Sequence, residues 1–257
     1  MVPQHHHPTK SGRRNPGLTA GLYLAGMERP NLVVLMAGGL GTRLRPLTDS
    51  LPKPLIAIGG KPVLERIIDG FASHGFRRFV LAVGYRGNQI VSHFGDGSGR
   101  GLDISYVWDT VSMGTAGALG LIPKPDEPAF VMNGDILAEV DFGAMLRFHQ
   151  HAGASVTVAA HEVLTASPYG VLEIEGSRLV GMVEKPERRD FVNAGIYVLD
   201  PIAWRQVKSG KPIDMPDLIG ELLAVGARIS AFPVWGKWID IGRVEDLARA
   251  EGEFGAP

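Results

Sequence analysis

The strongest constraint on this chain is the stretch Leu32–Ile58, LVVLMAGGLGTRLRPLTDSLPKPLIAI. It opens on an uninterrupted apolar run, and a run without polar alternation suits a strand buried on both faces of a parallel sheet. Gly38, Gly39 and Gly41 follow at once. Glycines in that place let the backbone turn tightly and bring its N–H groups against an anion. Arg43, Arg45 and Lys53 then supply the cations that a polyphosphate needs. The stretch is expected to hold a nucleoside triphosphate.

The loop fits neither of the two commonest nucleotide motifs. A Walker loop needs four residues between its glycines and then Gly-Lys-Ser/Thr, which no position offers. A dinucleotide fingerprint needs a third glycine where Leu44 stands, and it has no use for Arg43 and Arg45. What the chain offers is Gly-Gly-x-Gly-Thr-Arg-Leu, with Pro52-Lys53-Pro54 beyond it. The two prolines stiffen the backbone around Lys53 and so help to aim a flexible side chain.

Downstream, apolar strands alternate with helical patterns. Pro62–Gly75 has a helix-starting proline, helically spaced apolar residues and a terminal glycine. Strands are expected at Arg78–Val83, Leu102–Trp108 and Ala129–Met132, with helices at Gly87–Phe94 and Gly114–Leu121. This β-α-β rhythm predicts an α/β fold with a parallel sheet flanked by helices, in which ligands bind beyond the carboxyl ends of the strands. The glycine loop and Asp135 both fall at such ends. A helix at Asp141–Gln150 then leads to a strand at Ala154–Ala160. Tyr169–Ile174 and Arg178–Glu184 read as a hairpin joined at Glu175-Gly176-Ser177. A strand at Phe191–Leu199, helices at Pro201–Val207 and Met215–Val225, a strand at Ile229–Val234 and a last helix from Arg243 complete the pattern. The second half is expected to be mixed sheet laid over the first, as a lid for a second substrate.

At 257 residues the chain has room for a sizeable core. Its net charge of −1 argues against nucleic acid or an anionic membrane as partner, since either rewards a basic excess. The absence of cysteine excludes disulfides, thiolate nucleophiles and cysteine metal sites, and is compatible with a cytoplasmic location. No apolar run approaches the roughly 20 residues that span a bilayer. Residues 1–30 stand apart as a polar, proline-rich leader expected to be disordered. Arg13 and Arg14 before LTAGLYLAGM only loosely imitate a signal peptide. Residues 31–254 are read as one domain, with a nucleotide-binding half (31–160) and a half for the second substrate (161–254).

GGLGTRLRPLT followed by PKPL resembles the signature of the sugar-1-phosphate nucleotidyltransferases. The likeness continues through GTAGAL (114–119), NGD (133–135), YGV (169–171), EKP (184–186), FVNAGIYVL (191–199) and WIDIG (238–242), in the family's order. It implies a Rossmann-like, mixed and mainly parallel sheet with a smaller sugar-binding lobe. It also implies an enzyme that joins a sugar 1-phosphate to the α-phosphorus of a nucleoside triphosphate and expels pyrophosphate. Such transfer rests on positioning and charge neutralisation, with a metal bridging the phosphates.

The resemblance places the triphosphate on the backbone of Ala37, Gly38, Gly39 and Gly41 with Thr42, Arg43 on the leaving pyrophosphate, and Lys53 at the α-phosphate. Asp135 and Asp240 are the expected Mg2+ ligands, since magnesium takes one or two carboxylates plus phosphate oxygens and water. Gly84, Gly114, Thr115, Ala116 and Asn133 are expected against the base and ribose. Tyr169, Gly170, Glu184, Lys185, Asn193 and Trp238 are assigned to the sugar phosphate. The scattered histidines 74, 93, 149, 151 and 161 are read as surface or core residues.

Within the family the likeness is closest to the guanylyltransferases acting on mannose 1-phosphate or glucosamine 1-phosphate, carried by VLMAGGLGTRLRPLT, FGDGS (94–98), MNGDIL (132–137) and FVNAGIYVLDP (191–201). GTP is therefore the expected nucleotide. A glucose-1-phosphate thymidylyltransferase or a muramic acid- or hexose-1-phosphate uridylyltransferase is the alternative. A non-catalytic nucleotide-sugar sensor is disfavoured because Arg43, Lys53, Asp135 and Asp240 are all present. The leader and the short C-terminal end lead us to expect neither a regulatory domain nor a β-helix, and the oligomeric state stays open.

Overall fold

The computed structural model describes residues 32–109 and 111–255; the leader and its histidines lie outside the described residues. The apolar run forms β1 (Leu32–Ala37), and its side chains divide by alternation between two cores. Val33 and Leu35 join one hydrophobic cluster, Leu32 and Val34 the other. That two-sided burial is why the run carries no polar residue.

Short pairing of β2 (Ala57–Ile58) with β3 (Lys61–Pro62) leads into α1 (Val63–Ser73). Then come β4 (Arg78–Val83), α2 (Gly87–Phe94), β5 (Asp103–Trp108), α3 (Gly114–Gly117), β6 (Ala129–Asn133), β7 (Ile136–Ala138) and α4 (Phe142–Ala152). The second half supplies β8 (Val156–Ala166), β9 (Val171–Glu175), β10 (Arg178–Val183), β11 (Glu187–Leu199), α5 (Pro201–Trp204), α6 (Met215–Ala224), β12 (Ile229–Val234), β13 (Trp238–Asp240) and α7 (Val244–Phe254).

Seven strands form one sheet in the order β12-β8-β11-β6-β1-β4-β5. β11 is antiparallel to both its neighbours, and the remaining pairs are parallel. The architecture is therefore the expected α/β one, a mixed and mainly parallel sheet between helices. One face packs on α1, α2 and α4, where Phe71 stacks on Phe142 at 3.7 Å and meets Phe130 edge-on at 5.2 Å. The other packs on α3, α5 and α6 around the buried Trp204 and Leu218.

The expectation of a second sheet laid over the first is corrected. β8, β11 and β12 extend the same sheet, and what projects from it is the outer part of β8 and β11 with the separate β9–β10 hairpin. The expected helix Gly114–Leu121 is also shorter. It makes one α-turn and continues as a 3-10 turn over Ala118–Leu121, as a glycine-rich segment with little intrinsic helix preference would. Among the described residues no helix is long and apolar enough to cross a membrane.

Candidate active site

The carboxyl ends of β1, β4 and β6 lie side by side, so the segments leaving them share one edge of the sheet. Gly38 leaves β1 against Gly84, which leaves β4. A Cβ on Gly84 would stand 2.8 Å from the Gly38 carbonyl oxygen, a distance real side chains do not show, so only glycine permits this approach. Gly41 adopts φ +61 and lies over Thr48, whose hydroxyl donates to the Gly41 carbonyl at 2.9 Å. Leu44, fully buried, anchors the turn that follows. The N–H groups of Gly39, Leu40 and Gly41 donate to no acceptor among the described residues. The loop thus presents unsatisfied donors at the cleft, the arrangement that binds anions.

Lys53 opens a short 3-10 turn whose Pro54 and Leu55 are buried, which fixes its backbone. Its side chain is only 11% exposed and its ammonium pairs with the carboxylate of Asp135. Asp135 is set by the turn after β6, where the Gly134 N–H donates to the Met36 carbonyl at 2.8 Å. Pairing of β13 with β7 places Asp240 opposite Ile136, and the Ile241 N–H donates to the Asp135 carbonyl at 3.0 Å. Two carboxylates distant in sequence are brought together in this way. Burial, and then the negative charge of Asp135, push the Asp240 carboxyl above the usual carboxylate range, while Lys53 and Arg43 partly offset this. Asp240 Oδ1 is buried and has no hydrogen-bond partner among the described residues. Arg43 itself is exposed and lies over Gly242, where a Cβ would come within 3.4 Å of its guanidinium.

Two adjoining cavities meet here. The first, of about 310 Å³, is lined by residues that include Ala37, Gly38, Gly39, Lys53, Gly114, Thr115, Asn133 and Asp135. The second, of about 330 Å³, includes Asn193, Tyr197, Trp238 and Asp240. Thr115, Asn133 and Asp214 belong to both walls. Asn193 sits where the β11–β8 register shifts between Asn193 and Tyr197, a bulge that turns the strand at the cavity. Its amide nitrogen donates to the Tyr197 hydroxyl at 2.7 Å, and its oxygen accepts from the Gly195 N–H at 3.0 Å. Trp238 donates its indole N–H to the Ala194 carbonyl at 3.0 Å.

Other residues singled out in the sequence lie elsewhere. Gly41, Thr42 and Arg43 sit beside the first cavity without lining it, and Gly84 supports Gly38 from behind. Ala116 is fully buried in the core with its N–H on the Ile213 carbonyl, and it lines neither cavity. Tyr169, Gly170, Glu184 and Lys185 cluster at the base of the β9–β10 hairpin and line neither cavity. There the Lys185 N–H donates to the Tyr169 carbonyl at 3.3 Å, and Lys185 takes a left-handed φ of 46°. Asp109, Ser112, Tyr197 and Asp214 are lining residues that the sequence did not single out. Asp109 holds the loop into α3 by accepting from the Met113 N–H at 2.9 and 3.0 Å. Nothing in its local sequence distinguishes it from a loop aspartate.

Residues 32–254 match the family model described as Nucleotidyl transferase. The mannose-1-phosphate guanylyltransferase catalytic subunit beta of Danio rerio is 34% identical over 223 residues, which cover 83% of this chain and 62% of the relative. The mannose-1-phosphate guanyltransferase beta-B of Xenopus laevis is 33% identical with the same coverage. The chain thus spans about 62% of the length of these curated relatives. Among solved structures, HddC from Yersinia pseudotuberculosis, complexed with GMP-PN, is similar with a TM-score of 0.68 at 26% identity, covering 87% of this chain and 99% of that one. A putative glucose-1-phosphate thymidylyltransferase from Bacillus anthracis shares the fold with a TM-score of 0.73 at 23% identity, covering 88% of this chain and 96% of that one. On the strength of the match across residues 32–254, the chain belongs to the nucleotidyl transferase family.

Proposed function

We propose that this protein condenses a nucleoside triphosphate, GTP by preference, with a hexose 1-phosphate of the mannose or glucosamine type, giving a nucleotide sugar and pyrophosphate. The observation that carries the reading is the convergence of Lys53, Asp135 and Asp240 where the two cavities adjoin. One cavity with free loop amides suits the triphosphate, and the other suits the sugar. The names of the guanylyltransferase relatives and the GMP-PN-bound neighbour support guanine as the base.

A phosphate oxygen of the sugar 1-phosphate attacks the α-phosphorus, a new P–O bond forms, and the bond to the bridging oxygen breaks as pyrophosphate leaves. Lys53 supplies positive charge at the reacting phosphorus, and Arg43 and the loop amides hold the leaving group. Asp135 and Asp240 would hold magnesium. The buried, unpartnered oxygen of Asp240 and its carboxylate neighbour fit a divalent cation better than they fit an apo protein. When bound, the ion supplies charge neutralisation between the phosphates. The Glu184–Lys185 cluster is assigned to the sugar phosphate from the projecting lobe. A cytoplasmic location, where nucleoside triphosphates are abundant, fits this reading.

The test is a pyrophosphate-release screen of GTP, dTTP, UTP, CTP and ATP against several hexose 1-phosphates with magnesium. Release that is fastest with GTP supports the reading. Release only with dTTP or UTP moves the base assignment, and none with any pair removes the enzyme reading.

A further inference from the structure

Asp214 stands on the wall shared by the two cavities, at the start of α6. Its Oδ1 accepts from the Thr115 N–H at 2.9 Å and from the Thr115 hydroxyl at 3.3 Å, and that hydroxyl accepts in turn from the Met215 N–H at 2.8 Å. The segment before it is docked on α3. Ile213 accepts from the Ala116 and Gly117 N–H groups at 3.0 Å, and a Cβ on Gly114 would collide with the Ile213 carbonyl at 2.6 Å and with Asp214 Oδ1 at 2.7 Å. The carboxylate is therefore fixed by two side-chain bonds and a backbone clamp. Among the described residues its second oxygen, Oδ2, accepts no hydrogen bond and Asp214 takes part in no ion pair; the residue is exposed to the cleft.

In the second cavity both ends of the Asn193 amide, the Trp238 indole N–H and the Thr115 hydroxyl already have partners, which leaves Asp214 Oδ2, the Asn133 amide and the carboxylate assigned to magnesium, Asp240, open to a ligand. Among the described residues no lysine or arginine lines that cavity. Asp214 is exposed, so water meets Oδ2 in the cleft and a ligand donor would replace it; an ionised carboxylate only accepts hydrogen bonds, and its charge repels phosphate. The second cavity suits an uncharged ring more than an anion, and the uncharged part of a sugar phosphate is its ring.

Resting on the proposed activity, we infer that Asp214 Oδ2 is a specificity-determining acceptor for a hydrogen-bond donor on the ring of the sugar 1-phosphate, with Thr115 as its positioning residue. The donor is a hydroxyl or an ammonium group.

The experiment is calorimetric titration of the wild-type chain and of Asp214→Asn with mannose 1-phosphate, with glucosamine 1-phosphate and with GTP, alongside steady-state turnover. Asparagine keeps the oxygen that holds Thr115 and replaces Oδ2 with a donor, so the fold and its melting temperature are retained. The expected result is a weakening of sugar 1-phosphate binding, and a matching rise in its KM, of about 10- to 100-fold, as loss of a bond to a charged group implies. GTP affinity should stay within about twofold. A larger loss with glucosamine 1-phosphate than with mannose 1-phosphate identifies an ammonium donor, and the reverse identifies a hydroxyl. A parallel loss of GTP affinity, no change with either sugar phosphate, or no binding of either to the wild type overturns the inference. Binding without turnover in the wild type removes the proposed reaction while leaving the Asp214 result readable.

Discussion

Lys53 and Asp135, separated by 82 positions in the chain, meet as a largely buried ion pair at the floor of the cleft. Their contact joins the turn after the glycine loop to the turn after β6. A buried pair is weak evidence for stability, since desolvation offsets much of the attraction. Removing one partner leaves the other charge uncompensated, so a loss of stability is expected beside the loss of function. Lys53→Met is expected to lower kcat by about 10²- to 10³-fold, the usual loss on removing one group that stabilises transition-state charge. Steady-state kinetics at saturating substrates checks this, and a change confined to KM would take Lys53 away from the reacting phosphorus.

Asp240 offers a test on stability as well as activity. Its folded pKa is raised by burial and by Asp135. Such a group is comfortable when protonated, and its contribution is lost as pH rises through the folded pKa. At neutral pH the ionised form costs stability, so without magnesium Asp240→Asn should melt about 1–4 °C higher than the wild type. The gap should close as pH falls through and below the ordinary carboxylate range, as the wild-type carboxyl takes up its proton. Turnover should collapse in the same variant. Differential scanning fluorimetry across pH decides it, and a destabilised Asp240→Asn would contradict the account.

His149 makes the opposite prediction. It is 2% exposed, bonded to the buried Thr157 hydroxyl at 2.9 Å, and burial holds its pKa below the ordinary 6.5. A depressed folded pKa means that the unfolded chain binds the proton first. Stability is then present above about pH 6.5 and is lost as pH falls below it. Replacing both partners, His149→Leu with Thr157→Val, should flatten the slope of melting temperature against pH between about 6.5 and 5. An unchanged slope would place its origin elsewhere.

Gly84→Ala probes the backbone contact beneath the glycine loop. The added methyl meets the Gly38 carbonyl oxygen at 2.8 Å, so one of the two segments must shift. A cost of about 1–3 kcal/mol is expected from such overpacking, with KM for the triphosphate rising as the loop amides move. Chemical denaturation and initial rates measure the two effects, and wild-type values in both would show that the approach is not needed.

Much of this was legible in the sequence because it rests on local patterns. The double-sided burial of β1 is written in its lack of polar residues, and the loop in its glycines and cations. The ordered motifs named the carboxylates that pairing of β7 with β13 brings together. What was not legible depends on long-range placement. Nothing in Met215–Ala224 says that Asp214 will reach Thr115, and nothing in FVNAGIYVL says that β11 will enter the sheet between β8 and β6. The side chains at the base of the hairpin show the same limit from the other direction. Their motifs are clear, yet Glu184 and Lys185 stand outside both cavities.

The most direct measurement of the central claim is a ³¹P NMR time course of the protein with GTP, magnesium and either mannose 1-phosphate or glucosamine 1-phosphate. Nucleotidyl transfer predicts loss of the γ- and β-phosphate signals of GTP, the pyrophosphate singlet, and a new pair of diphosphate doublets from the nucleotide sugar. An unchanged spectrum with both sugars, or inorganic phosphate as the product with no new diphosphate doublets, would contradict it.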